Sequence, residues 1–207
     1  MILLYKNISQ NGIKNMKQIN KYICDHFEND KFSIVERLHI NKDISNNYYN
    51  YHPKTRDDLE ELLKKLIKER GNDADLNDID TSKITDMSYM FRESKFNGNI
   101  SEWDVSNVKD MNHMFFNSKF TEKNGDLSTW DVSKVEDMSY MFCYSEFNGD
   151  ISEWNVSNVT DMSCMFEECN KFEGKGLENW DANNIKNMQF MFYNCKLLKN
   201  KPAWYKE

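Results

Sequence analysis

The sequence contains little proline or glycine. There are two prolines and seven glycines among 207 residues, which disfavours long flexible or polyproline linkers and predicts continuous folded structure after about the first fifty residues. No apolar run approaches the ~18 residues of a membrane-spanning helix. The opening Met1 to Leu4 is also too short for the apolar stretch of a signal peptide. From the sequence alone, with no signal peptide visible, we expect a cytoplasmic protein without a transmembrane segment.

Basic charge is also scarce. Lys and Arg number 27 against 34 Asp and Glu, giving a formal net charge of -7. Without a basic stripe, such a surface repels polyphosphate, so no nucleic-acid partner is expected. The five cysteines are odd in number and have no Cys-x-x-Cys spacing, which predicts neither a closed disulfide framework nor a four-thiolate zinc site. We therefore expect reduced thiols, no bound metal and no cofactor.

A repeat dominates the rest of the sequence. The segment Ile84-Thr-Asp-Met-Ser-Tyr-Met-Phe91 returns at 108–115, 135–142, 159–166 and 185–192. Its periods are therefore 24, 27, 24 and 26 residues. A second signature, Asn99-Ile-Ser-Glu-Trp-Asp-Val-Ser106, returns at 126–133 and 150–157 and, degraded, at 176–183. A period of about 20 to 29 residues, with apolar positions spaced like Ile100, Trp103 and Val105, is typical of leucine-rich repeats.

The apolar spacing predicts the secondary structure of each repeat. The residues Val108, Met111, Met114 and Phe115 follow at intervals of three and four, which is typical of a short helical turn packing behind a strand. Because one such coil cannot bury both of its sides, neighbouring coils are expected to stack around one core. The predicted fold class is α/β, a leucine-rich-repeat-like parallel solenoid of about five coils with an N-terminal capping helix. The expected repeat core consists of Met87, Phe91, Trp103, Met111, Phe115, Trp130, Met138, Phe142, Trp154, Met162, Phe166, Trp180, Met188, Phe192 and Trp204.

The chain divides into three regions. Residues 1–52 do not fit the repeat and are expected to be partly helical, with no role predicted. Residues 53–75 contain the capping helix, with Thr55 as its N-cap and Gly71 as its terminator. Residues 76–207 are expected to form the repeat solenoid with a C-terminal cap.

The joined motifs V-x-D-M-x-x-M-F and F-N-G-D-I-S-x-W-D-V-S-N resemble the repeat of the BspA-type leucine-rich-repeat surface proteins of bacteria. That repeat also occurs in a mycoplasma family of unknown function. The resemblance covers roughly residues 53–207. It implies a surface or secreted module for binding and adhesion, and it carries over no catalytic residues. This chain departs from the resemblance in showing no anchoring motif.

Enzymatic activity is not expected. A catalytic set occurs once in a particular geometry, whereas nearly every polar residue here recurs at a repeat position. Gly-rich phosphate loops, Gly-x-Ser-x-Gly and His-Glu-x-x-His are absent from the sequence. His113 is the only histidine inside a repeat, and a partly exposed ring is its favoured interpretation. A calcium-binding solenoid is a weaker alternative, because the chain has isolated Asn-Gly-Asp triplets rather than Gly-Gly-x-Gly-x-Asp nonapeptides.

Strand alternation suggests a binding surface. If Trp103 and Val105 point inward, then Glu102 and Asp104 point outward, and stacked strands would align the outward residues in rows. The residues of this acidic row are Asp78, Asp80, Glu102, Asp104, Asp131, Glu153, Asn155 and Asp181. Two interpretations stay open: the side chains cap their own backbone turns, or they bind a basic or polyhydroxylated partner, a protein above all.

The favoured function is a non-catalytic repeat scaffold that mediates protein–protein or cell-surface and host interaction. The alternative is an intracellular interaction module, such as an effector or a phage-associated scaffold.

Overall fold

The structure is a computed structural model, and it describes residues 49–206 apart from 122 and 124. The predicted partial helicity of residues 1–52 therefore lies almost entirely outside the described residues. The chain forms two compact units, one of residues 1–52 with 78–80 and one of residues 53–77 with 81–207.

In the described part of the first unit, residues 49–52 lie beside residues 78–80. Tyr51 and Ile79 form a single parallel bridge, and the Asp80 N–H donates to the Tyr51 carbonyl at 2.9 Å. The side chains pair as well, since Asn50 Nδ2 donates to Asp78 Oδ2 at 2.8 Å.

The second unit begins with helix α1, Arg56–Arg70. A reciprocal capping box fixes its start: Thr55 Oγ1 accepts from the Asp58 N–H, and the Asp58 carboxylate accepts from the Thr55 N–H, each at 3.1 Å. Such a box satisfies N–H groups that have no partner within the helix. Gly71 ends the helix with a φ of 92°. The predicted helix start and end are thus confirmed. Its buried side chains are Leu59, Leu63 and Leu66.

The predicted strands and helical turns are not formed. The described residues contain no strand and no sheet, and α1 is their one α-helix beside a 3₁₀ turn at Leu177–Asn179. Parallel pairing between repeats is confined to single-residue bridges, which join Asp75 to Asn99 and run through Asp86, Asp110, Asp137, Asp161 and Asn187. The prediction of an α/β, leucine-rich-repeat-like parallel solenoid is therefore wrong.

The backbone of the Met-x-x-Met-Phe segment explains the difference. Tyr89 and Glu93 have φ values of 61° and 55°, in the left-handed region that is incompatible with a right-handed helix or a strand. The same conformation recurs four residues apart in every repeat, at His113, Asn117, Tyr140, Tyr144, Cys164, Glu168, Phe190 and Asn194. The intervals of three and four residues that predicted a helix belong instead to a series of irregular turns.

Hydrogen bonds between repeats hold these turns. Alternate N–H groups of one repeat donate to alternate carbonyls of the next: Met87 to Asp110, Tyr89 to Asn112, Phe91 to Met114 and Glu93 to Phe116, at 2.7 to 3.0 Å. The intervening N–H groups donate three residues back, as Met90 does to Met87 at 3.4 Å. The backbone polar groups are thus satisfied without regular secondary structure.

Two aromatic columns fill the interior of the repeats. Phe91, Phe115, Phe142, Phe166 and Phe192 stack with ring centroids 5.4 to 5.8 Å apart and planes within 12° of parallel. The five tryptophans each donate the indole N–H to a carbonyl of the preceding repeat: Trp103 to Leu76, Trp130 to Ile100, Trp154 to Leu127, Trp180 to Ile151 and Trp204 to Leu177. A large ring is buried while its one polar group is satisfied.

The predicted repeat core lies mostly in this interior. Thirteen of its fifteen residues are buried, while Met188 and Trp204, both near the end of the repeats, are half-buried.

Candidate functional site

The acidic row predicted from strand alternation holds the backbone turns of the repeats. Asp104, Asp131, Asn155 and Asp181 are exposed, and a side-chain oxygen of each accepts from the N–H two residues further on at 3.0 to 3.3 Å. Such Asx turns are a local use of these side chains. These bonds agree with the first interpretation of the sequence, in which the side chains cap their own backbone turns.

The remaining members of the acidic row are not brought together on a strand face, because the described repeats contain no strands. Glu102 is half-buried and Glu153 is exposed. Asp78 and Asp80 belong to the first unit, where Asp80 Oδ2 lies 3.3 Å from His52 Nδ1.

A different surface carries a cluster of large side chains, which we call the aromatic face: Tyr89, Arg92, His113, Phe116, Tyr140 and Tyr144. The Tyr89 ring stacks on His113 with centroids 4.7 Å apart, and His113 stacks on Tyr140 at 4.5 Å. The Arg92 guanidinium carbon lies 5.6 Å from the Tyr89 ring centroid and 5.3 Å from that of Phe116. Tyr89 and Tyr144 are 40% and 51% exposed. The stack therefore presents aromatic surface to solvent.

The left-handed turns place these rings. Tyr89, His113 and Tyr140 occupy the same position of successive Met-x-x-Met-Phe segments, and all three have φ between 54° and 61°. Sequence reasoning singled out only the His113 ring as partly exposed and missed the stack. The sequence does contain a signal for this stack, because the residue directly before Met-Phe is an aromatic tyrosine or histidine in three successive repeats.

The aromatic face has uncharged rings at neutral pH. Burial, followed by the charge of Arg92, lowers the pKa of His113 below its usual 6.5, so the imidazole that stacks between the two tyrosines is neutral. A hydrogen bond with the Cys164 thiol raises the pKa of Tyr140 to about 12, which keeps the phenol protonated. Apart from the Arg92 guanidinium, the aromatic face therefore offers aromatic area and hydroxyl groups rather than ionised groups.

The cysteines within the repeats are poor nucleophiles. Cys143, Cys164, Cys169 and Cys195 are unpaired and buried. Burial raises the pKa of Cys164 and Cys195 to about 11 and that of Cys169 to about 12, and it raises the pKa of Cys143 as well. Since the thiolate is the reactive and metal-binding form, these thiols are inert at neutral pH. Cys24 lies outside the described residues.

Metal ligands do not cluster in residues 49–121, 123 and 125–206: no three His, Cys, Asp or Glu side chains come together there in a way that could hold an ion.

A cleft of about 630 Å³ lies beside the last repeat, and we call it the terminal cleft. Its lining consists of Lys186, Asn187, Met188, Gln189, Phe190, Tyr193, Lys201, Tyr205 and Lys206. Three of these described lining residues are lysines, although the whole chain carries a net charge of -7. The Lys201 ammonium lies 5.0 Å from the centroid of the Tyr205 ring. The cleft is therefore locally basic and aromatic.

Within the described residues, no helix has the length and the apolar character that crossing a bilayer requires. Comparison with curated proteins and with solved structures gives no match. A family model does match, twice, over residues 57–145 and 116–206. The two overlapping matches together span well over half of the 207 residues and cover nearly all of helix α1 as well as the repeats. The chain thus belongs to the family described as "Mycoplasma protein of unknown function, DUF285".

Proposed function

We propose that the repeats form a non-catalytic protein-binding module whose contact surface is the aromatic face. The observation that carries the proposal is the stack of the exposed Tyr89 on the half-buried His113 and Tyr140, with Arg92 over Tyr89. Aromatic residues and arginine are the side chains enriched in the energetically dominant parts of protein interfaces.

The geometry favours binding for a second reason, which is the low cost of ordering. A tyrosine has only two side-chain torsions, and rings that are already stacked lose little freedom when a partner covers them. Tyr144 lies edge-on to Phe116 with centroids 5.9 Å apart, so neighbouring rings support one another before any partner arrives. A preorganised surface of this kind supports recognition more than chemistry.

The absence of enzymatic activity is part of this proposal. It is supported by the protonated thiols of the repeats and by the use of the recurring aspartates in backbone turns. A role at the cell surface or in host adhesion is proposed from the similarity of the repeat motif to BspA-type surface proteins. The intracellular effector or phage-associated scaffold is the competing setting for the same binding module.

The experiment compares two surfaces of one protein. Tagged wild type, Tyr89→Ser/Tyr144→Ser and, as a control, Glu102→Lys/Glu153→Lys are used to capture partners from cell lysate and from host extract, and each captured partner is then titrated against purified protein. We expect the tyrosine variant to lose its partners and the acidic-row variant to keep them, with matching circular dichroism spectra. Retention of every partner by the folded tyrosine variant would contradict the proposal. Loss of the partners in Glu102→Lys/Glu153→Lys would indicate that the acidic row is the binding surface instead.

A further inference from the structure

One end of the aromatic face holds a cation of the chain itself. The guanidinium of the exposed Arg92 lies over the Tyr89 and Phe116 rings, and its Nη2 lies 3.3 Å from Glu93 Oε1. A guanidinium over an aromatic ring gains a cation–π attraction, and a carboxylate beside it adds an ion pair. The chain therefore contains one arginine that rings and a carboxylate hold together at the surface.

The other end of the aromatic face borders two carboxylates. Tyr144 is 51% exposed, and its N–H donates to the Glu167 carbonyl of the next repeat at 2.8 Å. Glu168 occupies in that repeat the position that Tyr144 occupies in its own, and the two residues have left-handed φ values of 54° and 57°. Glu167 and Glu168 are each half-buried. The next repeat therefore places two glutamates beside the exposed ring of Tyr144.

These two glutamates have no cationic partner in the described part of the chain. Neither Glu167 nor Glu168 forms an ion pair with a described lysine or arginine. Glu167 Oε2 accepts instead from the Cys143 thiol, with Sγ 3.9 Å away, and a thiol is a weak donor. Glu168 Oε1 accepts from Asn194 Nδ2 at 2.7 Å. The negative charge reaches the neighbouring ring, because burial, followed by the charges of Glu167 and Glu168, raises the pKa of Tyr144.

The two ends of the aromatic face differ in the groups that the chain supplies. Arg92 and Glu167 occupy the same position, directly after Met-Phe, in the first and the fourth repeats. At the first end the chain supplies a cation together with its rings and carboxylate, whereas at the other end it supplies an exposed ring and two carboxylates. A cation of a partner complements the charge of this second end. Arginine fits it better than lysine, because a planar guanidinium both stacks on a ring and donates to carboxylates.

We propose that Tyr144, Glu167 and Glu168, which we call the arginine site, bind an arginine side chain of a partner protein. The guanidinium lies against the Tyr144 ring and donates to the two carboxylates, in the arrangement that Arg92 shows at the other end of the face. Exposed carboxylates alone bind cations weakly, and the ring adds a contact that selects a planar, weakly hydrated cation. The inference rests on the proposed function, because it names the chemistry of a partner that covers the aromatic face.

The test uses the full chain and a fluorescein-labelled peptide of eight residues, in which Arg alternates with Ser, as the probe. Binding is followed by fluorescence anisotropy. We expect Glu167→Gln/Glu168→Gln to weaken binding by about tenfold, because hydrogen bonds to a charged group lose strength when the charge is removed. Glutamine keeps the size of each side chain and an acceptor oxygen for its neighbours. The matched control is Glu102→Gln/Glu153→Gln, which removes the same charge from the acidic row and should leave the affinity unchanged.

Changes to the peptide and a local readout identify the site. Citrulline in place of arginine keeps the shape of the side chain without its charge and should abolish binding, and lysine in place of arginine should weaken it. In amide NMR spectra, the arginine peptide should shift the signals of Tyr144, Glu167 and Glu168 and leave those of Glu102 and Glu153 in place. Equal loss of affinity in both glutamine variants would overturn the proposal by showing general attraction to an acidic chain. Equal affinity for the lysine or citrulline peptide would overturn it as well.

Capture of cellular partners separates this inference from the proposed function. We expect Glu167→Gln/Glu168→Gln to lose the partners that Tyr89→Ser/Tyr144→Ser loses. If the glutamine variant keeps all of them, the aromatic face remains the contact surface and only the arginine site is overturned. If the tyrosine variant keeps every partner, the proposed function fails, whatever the peptide shows. Self-association of the wild type in sedimentation velocity, absent from the glutamine variant, would identify a second copy of the chain as the occupant and overturn the assignment to another protein.

Discussion

Replacing Trp154 tests the tryptophan column most directly. Trp154 is 3% exposed, its ring lies 6.5 Å from that of Trp180 and 6.4 Å from that of Phe142, and its indole N–H donates to the Leu127 carbonyl at 2.9 Å. That carbonyl also accepts from the Trp130 N–H at 3.1 Å. Two substitutions therefore separate the packing of the ring from its hydrogen bond.

The expected costs follow from these contacts. Trp154→Ala removes a fully packed ring, which lowers the free energy of unfolding by about 3–5 kcal/mol. Trp154→Phe keeps much of the ring but loses the indole donor. Because the Leu127 carbonyl still accepts from Trp130, no buried acceptor is left without a partner, and the expected loss is about 1–2 kcal/mol.

Urea unfolding followed by circular dichroism measures both values. Trp204→Phe is the control, since its indole makes the same kind of bond, to Leu177 at 2.7 Å, from a half-buried position where water replaces the lost partner. It should cost less than Trp154→Phe. If Trp154→Ala cost no more than Trp204→Phe, the assignment of the tryptophans to a packed interior column would be refuted.

Three further changes have expected outcomes. Cys169→Ser should cost less than about 1.5 kcal/mol in urea unfolding, because serine occupies the equivalent buried position 145; a cooperative loss of folding would contradict it. Gly98→Ala should lower the free energy of unfolding by about 1–3 kcal/mol, because an added Cβ at Gly98 collides with the Ala74 carbonyl oxygen. Gly71→Ala, measured by the same method, is the control: its Cβ meets open space but its φ is 92°, so it reports backbone strain without crowding. The thermal midpoint of the wild type should fall as the pH drops below about 6.5, because the lowered pKa of His113 lets the unfolded chain bind a proton first. That fall should be smaller in His113→Tyr, and an identical pH profile would rule out the linkage.

Local chemistry made helix α1 predictable. Thr55 and Asp58 form the capping box within four residues of each other, and Gly71 stands where the helix ends; these preferences act within one turn and need no partner elsewhere. The repeat register was readable for a similar reason, since residues that recur at one position in each repeat, such as Phe91 and Phe115, occupy equivalent places in the array.

The backbone conformation between those positions is not determined by the local sequence. Tyr89 and Glu93 adopt left-handed backbone angles that non-glycine residues disfavour when isolated, so their spacing was assigned to a helix. Hydrogen bonds to the next repeat, from Tyr89 to Asn112 and from Glu93 to Phe116, stabilise these angles, and such bonds exist only once repeats are stacked. A single sequence window contains the apolar spacing but not the neighbouring carbonyls.

The sequence by itself therefore determined helix α1, the repeat period and which apolar residues recur. The tertiary structure decided the turns and the aromatic face. The stack of Tyr89, His113 and Tyr140 joins residues from three repeats. The turns and the aromatic face arise from contacts between segments about two dozen residues apart, and the free energy of those contacts overrides the local preference of each segment.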